Sequence, residues 1–181
     1  PNIGRLPFAN VTDQVIREKL ASCSSMDELL VCLRTAIAEN VRDTVQAIHD
    51  LYLLPAPFLS LFFVGCLENE KDISLGNRYN NWGLHGTGLA PAADMLAAVD
   101  QTVFQEGLSP KTLLAAMQKN FAGYDELRDH LVHQCPKMGN DDDRADQYAV
   151  WLLDAFADAV KGLRNERGGC VRAGTGSAMY Y

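Results

Sequence analysis

The sequence has few of the features that mark membrane proteins, nucleic-acid-binding proteins or disulfide-rich proteins. No apolar run reaches the roughly 20 residues that cross a bilayer. The longest one, residues 51–67, is interrupted by two prolines, a serine and a glycine. Basic residues are outnumbered, with 16 Lys and Arg against 23 Asp and Glu and a formal net charge of −7. This balance gives no electrostatic footprint for nucleic acid, and we expect neither a nucleic-acid nor a membrane partner.

Cysteine is also sparse. The five cysteines are unclustered and odd in number, which argues against a disulfide scaffold and is typical of a reduced, cytoplasmic protein. The remaining composition, with 48% hydrophobic and 22% charged residues in 181 positions, is that of one globular domain. The sequence starts at Pro1 without a methionine and stops at Tyr181 inside a predicted extended segment. We therefore expect residues 1–181 to be a single segment of a longer chain.

Apolar residues at spacings of three and four predict a series of helices. The strongest begins at a capping box, in which Ser25 accepts from a backbone amide and Glu28 reaches back. Its apolar stripe runs from Leu29 to Tyr52, and the helix is expected to end before Pro55. The other predicted helices are residues 12–21, 92–104, 111–121 and 125–133, and one that starts at 141–143 and runs to Leu163. Residues 58–67 are apolar all round, so their period does not separate a helix from a buried strand, and a helix is favoured.

Extended segments are fewer. Residues 78–84 and 170–181 are predicted as strands, and residues 74–77 as a turn. Two isolated strands cannot pair all of their backbone groups. Either these strands pair with parts of a larger protein, or the chain is a mostly helical module with loops.

Two local motifs give weak signals for a phosphate or a metal. Residues 83–91 are glycine-rich, but Pro91 stands where a dinucleotide site needs Gly or Ala, and a P-loop Lys is absent. A tight turn is the favoured interpretation. His130, His133 and Cys135 are spaced for a metal but lack a second ligand pair, which favours surface histidines. We therefore assign no metal and no cofactor to this chain.

Cys66 and Glu68 place a thiol two residues from a carboxylate. Such a pair could act as a nucleophile or radical thiol with its acid–base partner. On a helix, however, residues two apart do not face each other. A buried structural cysteine is therefore the favoured interpretation.

A series of motifs in one collinear order resembles the glycyl radical enzymes, the pyruvate formate-lyase-like family. The resemblance covers about residues 25–181. No single motif decides it, but the ordered set is specific. The matching stretches are residues 55–60, 65–73, 78–80, 86–90, 92–99, 120–121, 123–128, 136–143, 167–169 and 174–177.

The resemblance implies a fold class, namely a predominantly α segment with two or so short strands, cut from a large α/β barrel wrapped in helices. It also implies the chemistry of the parent enzyme. In that family a radical stored on a glycine passes to a cysteine, whose thiyl radical abstracts hydrogen from the substrate. A separate activating enzyme with an iron–sulfur cluster and S-adenosylmethionine installs the glycyl radical. The implied partners are the remainder of the parent polypeptide, this activating enzyme and a second copy in a homodimer.

The sequence departs from the family at both radical carriers. An Arg-Val-x-Gly-Tyr type of segment with the radical glycine is absent and is expected beyond Tyr181, and the catalytic Cys-x-Glu loop is expected before Pro1. Residues 66–68 imitate that loop, but their neighbours resemble a later helix of the family. Cys66 is therefore not assigned as the thiyl cysteine. It would regain that role only if residues 65–68 formed a loop inside a barrel, and the sequence leaves open whether they form a helix or a loop. We expect no catalytic residue in this chain and no activity of the chain alone.

The resemblance also implies candidates for a substrate pocket. In the family, the strand after the glycine turn at residues 174–176 runs into the barrel, which makes Met179 and Tyr180 candidate pocket residues. An outward-facing or frayed terminus is the alternative. Further candidates, near the other predicted strand, are Tyr79, Asn80 and His85.

Two hypotheses of function result. In the first, the chain is part of a glycyl radical lyase, dehydratase, decarboxylase or formate acetyltransferase, and the chain is inert on its own. The second is a stand-alone helical protein-interaction module without catalysis. Strands with exposed edges and a large exposed apolar patch favour the first.

Overall fold

A small parallel sheet forms the centre of the fold. The computed structural model describes residues 2–176, and its strands lie in the order β1-β2-β3, each parallel to its neighbour. Within this described part, β1 and β3 are the edges of the sheet. The strands are β1 (Asn2–Pro7), β2 (Trp82–Thr87) and β3 (Val171–Thr175).

The remaining elements of residues 2–176 are helices, so the predicted fold class is confirmed. Helices α1, α2, α5 and α8 enclose the core against the sheet. None of these helices is long and apolar enough to cross a bilayer. They are α1 (Phe8–Lys19, followed by a 3₁₀ turn at Leu20–Ser22), α2 (Met26–Ala47), α3 (Pro57–Ser60), α4 (Ile73–Gly76), α5 (Leu89–Val99, continued by a π-helix at Asp100–Gln105), α6 (Pro110–Gln118), α7 (Asp125–His133) and α8 (Asp143–Val160).

The alternation of side chains along β2 separates two faces of the sheet. Trp82, Leu84 and Gly86 are buried toward the helices, whereas Gly83, His85 and Thr87 are half-buried on the opposite side. On the helical side, the rings of Phe8 and Phe156 meet edge to face, with their centroids 5.6 Å apart. We call the opposite side, which carries His85, the open face.

The long helix α2 confirms its predicted start. The Ser25 hydroxyl accepts from the amide of Glu28 at 3.3 Å, and the Glu28 carboxylate accepts from the amide of Ser24 at 2.7 Å. The predicted continuation of its apolar stripe to Tyr52 is wrong. The helix ends at Ala47, and Asp50 adopts a left-handed conformation with φ 61°, which breaks helical geometry.

Residues 51–81, which we call the projecting segment, depart most from the predictions. Instead of a helix over residues 58–67, only α3 is helical and residues 61–70 form turns. Gly65 requires its φ of +99°, and a Cβ there would lie 2.7 Å from the carbonyl oxygen of Gly76. The predicted turn at residues 74–77 is mostly the short helix α4, which Asp72 caps.

Several predicted boundaries shift. The strand predicted at residues 78–84 begins only at Trp82, and the strand predicted from residue 170 is β3. Strand β1 is absent from the sequence-based predictions. Helix α5 begins at Leu89 rather than at residue 92, and α8 ends at Val160 rather than Leu163. Helix α7 has its predicted bounds.

Candidate functional site: the open face of the sheet

His85 lies at the centre of the open face. In the parallel register it is opposite Arg5 of β1 and Gly174 of β3. Its ring leans over β3, because a Cβ on Gly174 would lie 3.3 Å from His85 Cδ2 and a Cβ on Gly176 would lie 3.3 Å from His85 Nδ1. These two glycines therefore leave room for the imidazole on the sheet.

Two arginines share this face with His85. A Cβ on Gly4 would contact Thr44 of α2 and Leu84, so Gly4 points into the core and Arg5, the next residue, points the other way. Arg172 lies two residues before Gly174, on the same side of β3, and opposite Gly83. Both arginines are exposed. The open face thus carries a histidine on the central strand and one arginine on each neighbouring strand.

The loop between α8 and β3 fastens the projecting segment to the sheet. The buried side chain of Asn165 donates to the carbonyl of Asn80 at 2.6 Å and accepts from the amides of Arg167 and Gly169 at 3.0 and 2.9 Å. The Arg167 guanidinium donates to the carbonyl of Leu51 at 2.5 Å. The sequence did not predict this clamp, and residues 167–169 stood out only as part of the family resemblance.

Tyr79 and Asn80 lie before β2, in the projecting segment rather than on the open face. The Tyr79 side chain is 72% exposed, whereas the Asn80 amide donates to the carbonyls of Leu75 and Asn77 at 3.3 and 3.2 Å. Both residues line a cavity of about 300 Å³ beside Trp82 and Arg167. The structure thus brings only His85 of these three candidates onto the sheet. The other two candidates, Met179 and Tyr180, lie outside the described residues.

The projecting segment has a polar interior and an apolar exterior. Inside it, the Asp72 carboxylate accepts from the amides of Ala56 and Ser74 at 2.7 and 3.0 Å and from the Ser60 hydroxyl at 2.9 Å. Outside it lies a large exposed apolar patch, which favours the first hypothesis of function. The exposed side chains are Leu51, Tyr52, Leu53, Leu54, Phe58, Leu59, Leu61, Phe62, Phe63, Val64, Leu67, Leu75 and Tyr79.

The hydrogen bonds to Asp72 predict a pH dependence. Bonds from the Ser74 amide, with those from Ala56 and Ser60, lower the pKa of the Asp72 carboxyl from 3.8 to about 2. A carboxylate with a lowered folded-state pKa stabilises the fold above the unfolded pKa, and this contribution is lost as pH falls from about 4 toward 2. We expect Asp72→Asn to be less stable than the wild type at pH 6, and the difference to narrow below pH 4.

Urea denaturation at a series of pH values measures this difference. Asp141→Asn is the matched control, because Asp141 is an exposed carboxylate in the loop that precedes α8. Its stability difference should stay small and change little over the same range. A wild-type to Asp72→Asn difference that is constant from pH 6 to pH 3 would contradict the role given to Asp72.

Cys66 and His130, which belong to the weak motifs of the sequence, both contact other residues of the chain. Cys66 is buried within a turn and donates to the side-chain oxygen of Asn77 at 3.6 Å. Burial, with the nearby carboxylates of Asp72 and Glu68, raises the pKa of its thiol. His130 contacts the carboxylate of Glu106 at 3.0 Å. Among the described residues, no group of three His, Cys, Asp or Glu side chains could hold a metal ion.

Comparison with known proteins agrees with this geometry. Residues 27–180 match the family described as pyruvate formate lyase-like. The chain belongs to this family. The resemblance noted in the sequence is therefore confirmed, and the mostly helical architecture with its parallel strands belongs to a segment of the pyruvate formate lyase-like fold.

Relatives of the chain are glycyl radical dehydratases and lyases. It is 34% identical over 121 residues to trans-4-hydroxy-L-proline dehydratase of Clostridioides difficile, a match that covers 66% of this chain and 15% of that protein. It is 43% identical over 123 residues to isethionate sulfite-lyase of Desulfovibrio desulfuricans, covering 67% of this chain and 15% of that protein.

Solved structures agree on the fold. A glycyl radical enzyme from Archaeoglobus fulgidus superposes on the chain with a TM-score of 0.81 and 30% sequence identity. The superposition covers 94% of this chain and 24% of the other. The chain therefore spans about a quarter or less of the length of the pyruvate formate lyase-like proteins it matches.

Proposed function

We propose that the chain forms one part of the substrate-binding barrel of a glycyl radical enzyme that acts as a dehydratase or lyase. The observation that carries the proposal is the parallel sheet with one face packed by helices and the other bearing His85 between Arg5 and Arg172. Parallel sheets are normally covered on both faces. The open face is therefore the side on which the remaining polypeptide and the substrate would lie.

The surface of the chain supports this proposal. Strands β1 and β3 are edges within the described sheet, and the projecting segment exposes many large apolar side chains, as interaction surfaces do. The named substrates of the two relatives, trans-4-hydroxy-L-proline and isethionate, are small hydroxylated acids. A substrate of this kind would occupy the open face, with Met179 and Tyr180 as further pocket candidates. Tyr79 and Asn80 would line the neighbouring cavity beside Trp82.

The catalytic steps would belong to groups outside this chain. A glycyl radical, installed by an S-adenosylmethionine-dependent iron–sulfur activating enzyme, would supply the thiyl radical that abstracts hydrogen. The residues of this chain would bind and orient the substrate. A homodimer and a cytoplasmic, anaerobic setting complete the proposal, and the chain alone would be inert.

A chimera tests the proposal. The matching segment of the Clostridioides difficile dehydratase is replaced by this chain and activated without oxygen. We expect the glycyl radical doublet in electron paramagnetic resonance spectra, as in the unaltered dehydratase, and no doublet or turnover from the 181-residue chain alone.

The control is the same chimera with Phe156→Ala, which removes a core side chain of the inserted segment. It should form less radical because the barrel is less stable. Turnover by the isolated chain, or a folded chimera that never forms the radical, would overturn the proposal.

A further inference from the structure

We propose that Cys23 and Cys32 are a redox-sensitive pair, which forms a reversible disulfide by exchange with a small disulfide such as oxidised glutathione. This inference goes beyond the proposed function, because it concerns the junction of α1 and α2 and uses no radical chemistry. The contact between the two thiols, the backbone that holds them and the chemistry of exchange each support it.

The fold brings together two cysteines that lie nine residues apart in the sequence. The thiol of Cys23 forms a hydrogen bond with that of Cys32. Both side chains are half-buried, and both pack against the hydrophobic core. The sulfur atoms of a disulfide are about 2 Å apart, so a short approach of two thiols that already touch is enough to form the bond.

The backbone at Cys23 has a defined conformation. Cys23 ends the 3₁₀ turn that follows α1, and its amide donates to the carbonyl of Leu20 at 3.3 Å. Its φ of −89° and ψ of 134° are those of extended backbone. Leu20 is itself fully buried. The turn therefore fixes the position of Cys23 against the core.

The capping box of α2 places Cys32 beside this turn. Cys32 lies in the second turn of α2, four residues after Glu28 and therefore on the same side of the helix. The Glu28 carboxylate accepts from the amide of Ser24 at 2.7 Å, which holds the residues before α2 back against the first turn of the helix. Cys23, the residue before Ser24, is thereby directed toward Cys32.

The environment of Cys23 suggests the order of two exchange steps. Burial, with the nearby Cys32 thiol and Glu28 carboxylate, raises the pKa of the Cys23 thiol. Since the thiolate is the attacking species, Cys23 suits the second step. In the first step Cys32 loses its proton to water, its sulfur attacks oxidised glutathione, and one glutathione thiolate leaves. A mixed disulfide remains on Cys32.

The second step closes the bond within the chain. Cys23 loses its proton and attacks the Cys32 sulfur of the mixed disulfide, and the second glutathione thiolate leaves. In total the chain gives up two protons and two electrons, and one oxidised glutathione becomes two reduced ones. Excess reduced glutathione reverses both steps.

Tryptic digestion detects this disulfide within one peptide. No Lys or Arg lies between Lys19 and Arg34, so residues 20–34 carry both cysteines. The 181-residue chain is equilibrated with reduced and oxidised glutathione, either folded or in urea, then quenched with acid, unfolded, alkylated and digested. The disulfide form of the peptide lacks both alkyl groups and two hydrogen atoms. We expect an equilibrium constant for its formation at least about tenfold higher in the folded chain than in urea, because the fold holds the thiols together.

Three variants test the assignment. Cys23→Ser should stop at the mixed disulfide, so that the peptide 20–34 carries one glutathione on Cys32. Cys32→Ser should accumulate the adduct on Cys23 several-fold more slowly. Cys170→Ser is the matched control, because it removes a half-buried thiol directly before β3, and it should leave the disulfide of peptide 20–34 unchanged. Thermal melts confirm that each variant stays folded.

Each outcome bears on the proposal. An equilibrium constant that is equal in the folded and urea-unfolded chains, or lower in the folded chain, would overturn the pair. Loss of the disulfide in Cys170→Ser, or a folded chain in which Cys23 is linked to a different cysteine, would do the same. Equal rates of adduct formation in Cys23→Ser and Cys32→Ser would overturn the order of the two steps alone.

Discussion

Phe156→Ala is expected to destabilise the chain by about 3–5 kcal/mol, the range for truncating a buried phenylalanine. The Phe156 side chain is 1% exposed, and its ring meets that of Phe8 edge to face at 89°. A Cβ on Gly86 of the central strand would collide with this ring pair. Truncation therefore leaves a cavity directly beneath the sheet.

The control for this variant lies on the same helix. Val150 of α8 is 58% exposed, and Val150→Ala should change the free energy of unfolding by no more than about 0.5 kcal/mol. Urea denaturation followed by circular dichroism measures both. Since domains of this size have a total stability of about 5–15 kcal/mol, Phe156→Ala should lose a large fraction of it. Equal effects of the two substitutions would show that α8 does not seal the core.

Gly169→Ala is expected to be the second most damaging change, at about 3 kcal/mol or more, because overpacking against fixed atoms forces the backbone to shift. Gly169 is buried, its amide donates to the side chain of Asn165, and its carbonyl accepts from the Asn165 amide at 3.0 Å. A Cβ there would overlap the carbonyl oxygen of Asn80 and lie 2.8 Å from the amide nitrogen of Asn81. Both are backbone atoms that cannot rotate away as a side chain can, so the hydrogen bonds that Asn165 makes in the clamp must break.

The neighbouring glycine separates this clash from backbone conformation. Gly168 has φ +77°, but no atom lies within 4 Å of the position that a Cβ would occupy there. Gly168→Ala should therefore cost only the left-handed penalty of about 1–2 kcal/mol. Urea denaturation gives the free energies of unfolding, and near-ultraviolet circular dichroism of a Trp151→Phe background, in which Trp82 is the remaining tryptophan, reports on the start of β2. Equal losses of stability in Gly168→Ala and Gly169→Ala would show that the close packing of Gly169 against Asn80 does not hold the projecting segment to the sheet.

The helices were predictable because their local signals agree with their packing. Ser25 and Glu28 cap α2 as their spacing predicts, and Leu29, Leu33 and Ile37 are buried along one stripe. The collinear motifs also carried the family and the fold class. In these parts, neighbouring residues in the sequence contain the information that determines the structure.

The open face was not predictable from local pattern. Strand β1 contains a glycine, an arginine and a proline, and it is a strand because it pairs with β2, which lies more than seventy residues later in the chain. The side on which Arg5 and Arg172 emerge depends on that register. His85 was a candidate only through the family resemblance, and its two arginine neighbours could not be found before the strands were aligned.

The structure of the projecting segment was predicted wrongly, because its local pattern indicated a helix that does not form. Its apolar residues suggested a buried helix, but Phe58, Phe62 and Val64 are 75%, 71% and 71% exposed. Hydrogen bonds to Asp72 and Ser60 hold its backbone instead. Apolar side chains that remain exposed in this chain mark a surface, which sequence periodicity cannot distinguish from a core.

The polar interior and apolar exterior of the projecting segment affect the heat capacity of its unfolding. The heat capacity of unfolding comes from newly exposed apolar surface, and polar exposure contributes with the opposite sign. The segment hides polar groups and already exposes its apolar ones, so its local opening should carry almost no heat-capacity increment. Its stability then changes nearly linearly with temperature, while the helical core, with Leu33, Leu96 and Leu152 fully buried, follows a curved profile that weakens on cooling. The two parts of one short chain would thus respond differently to cold.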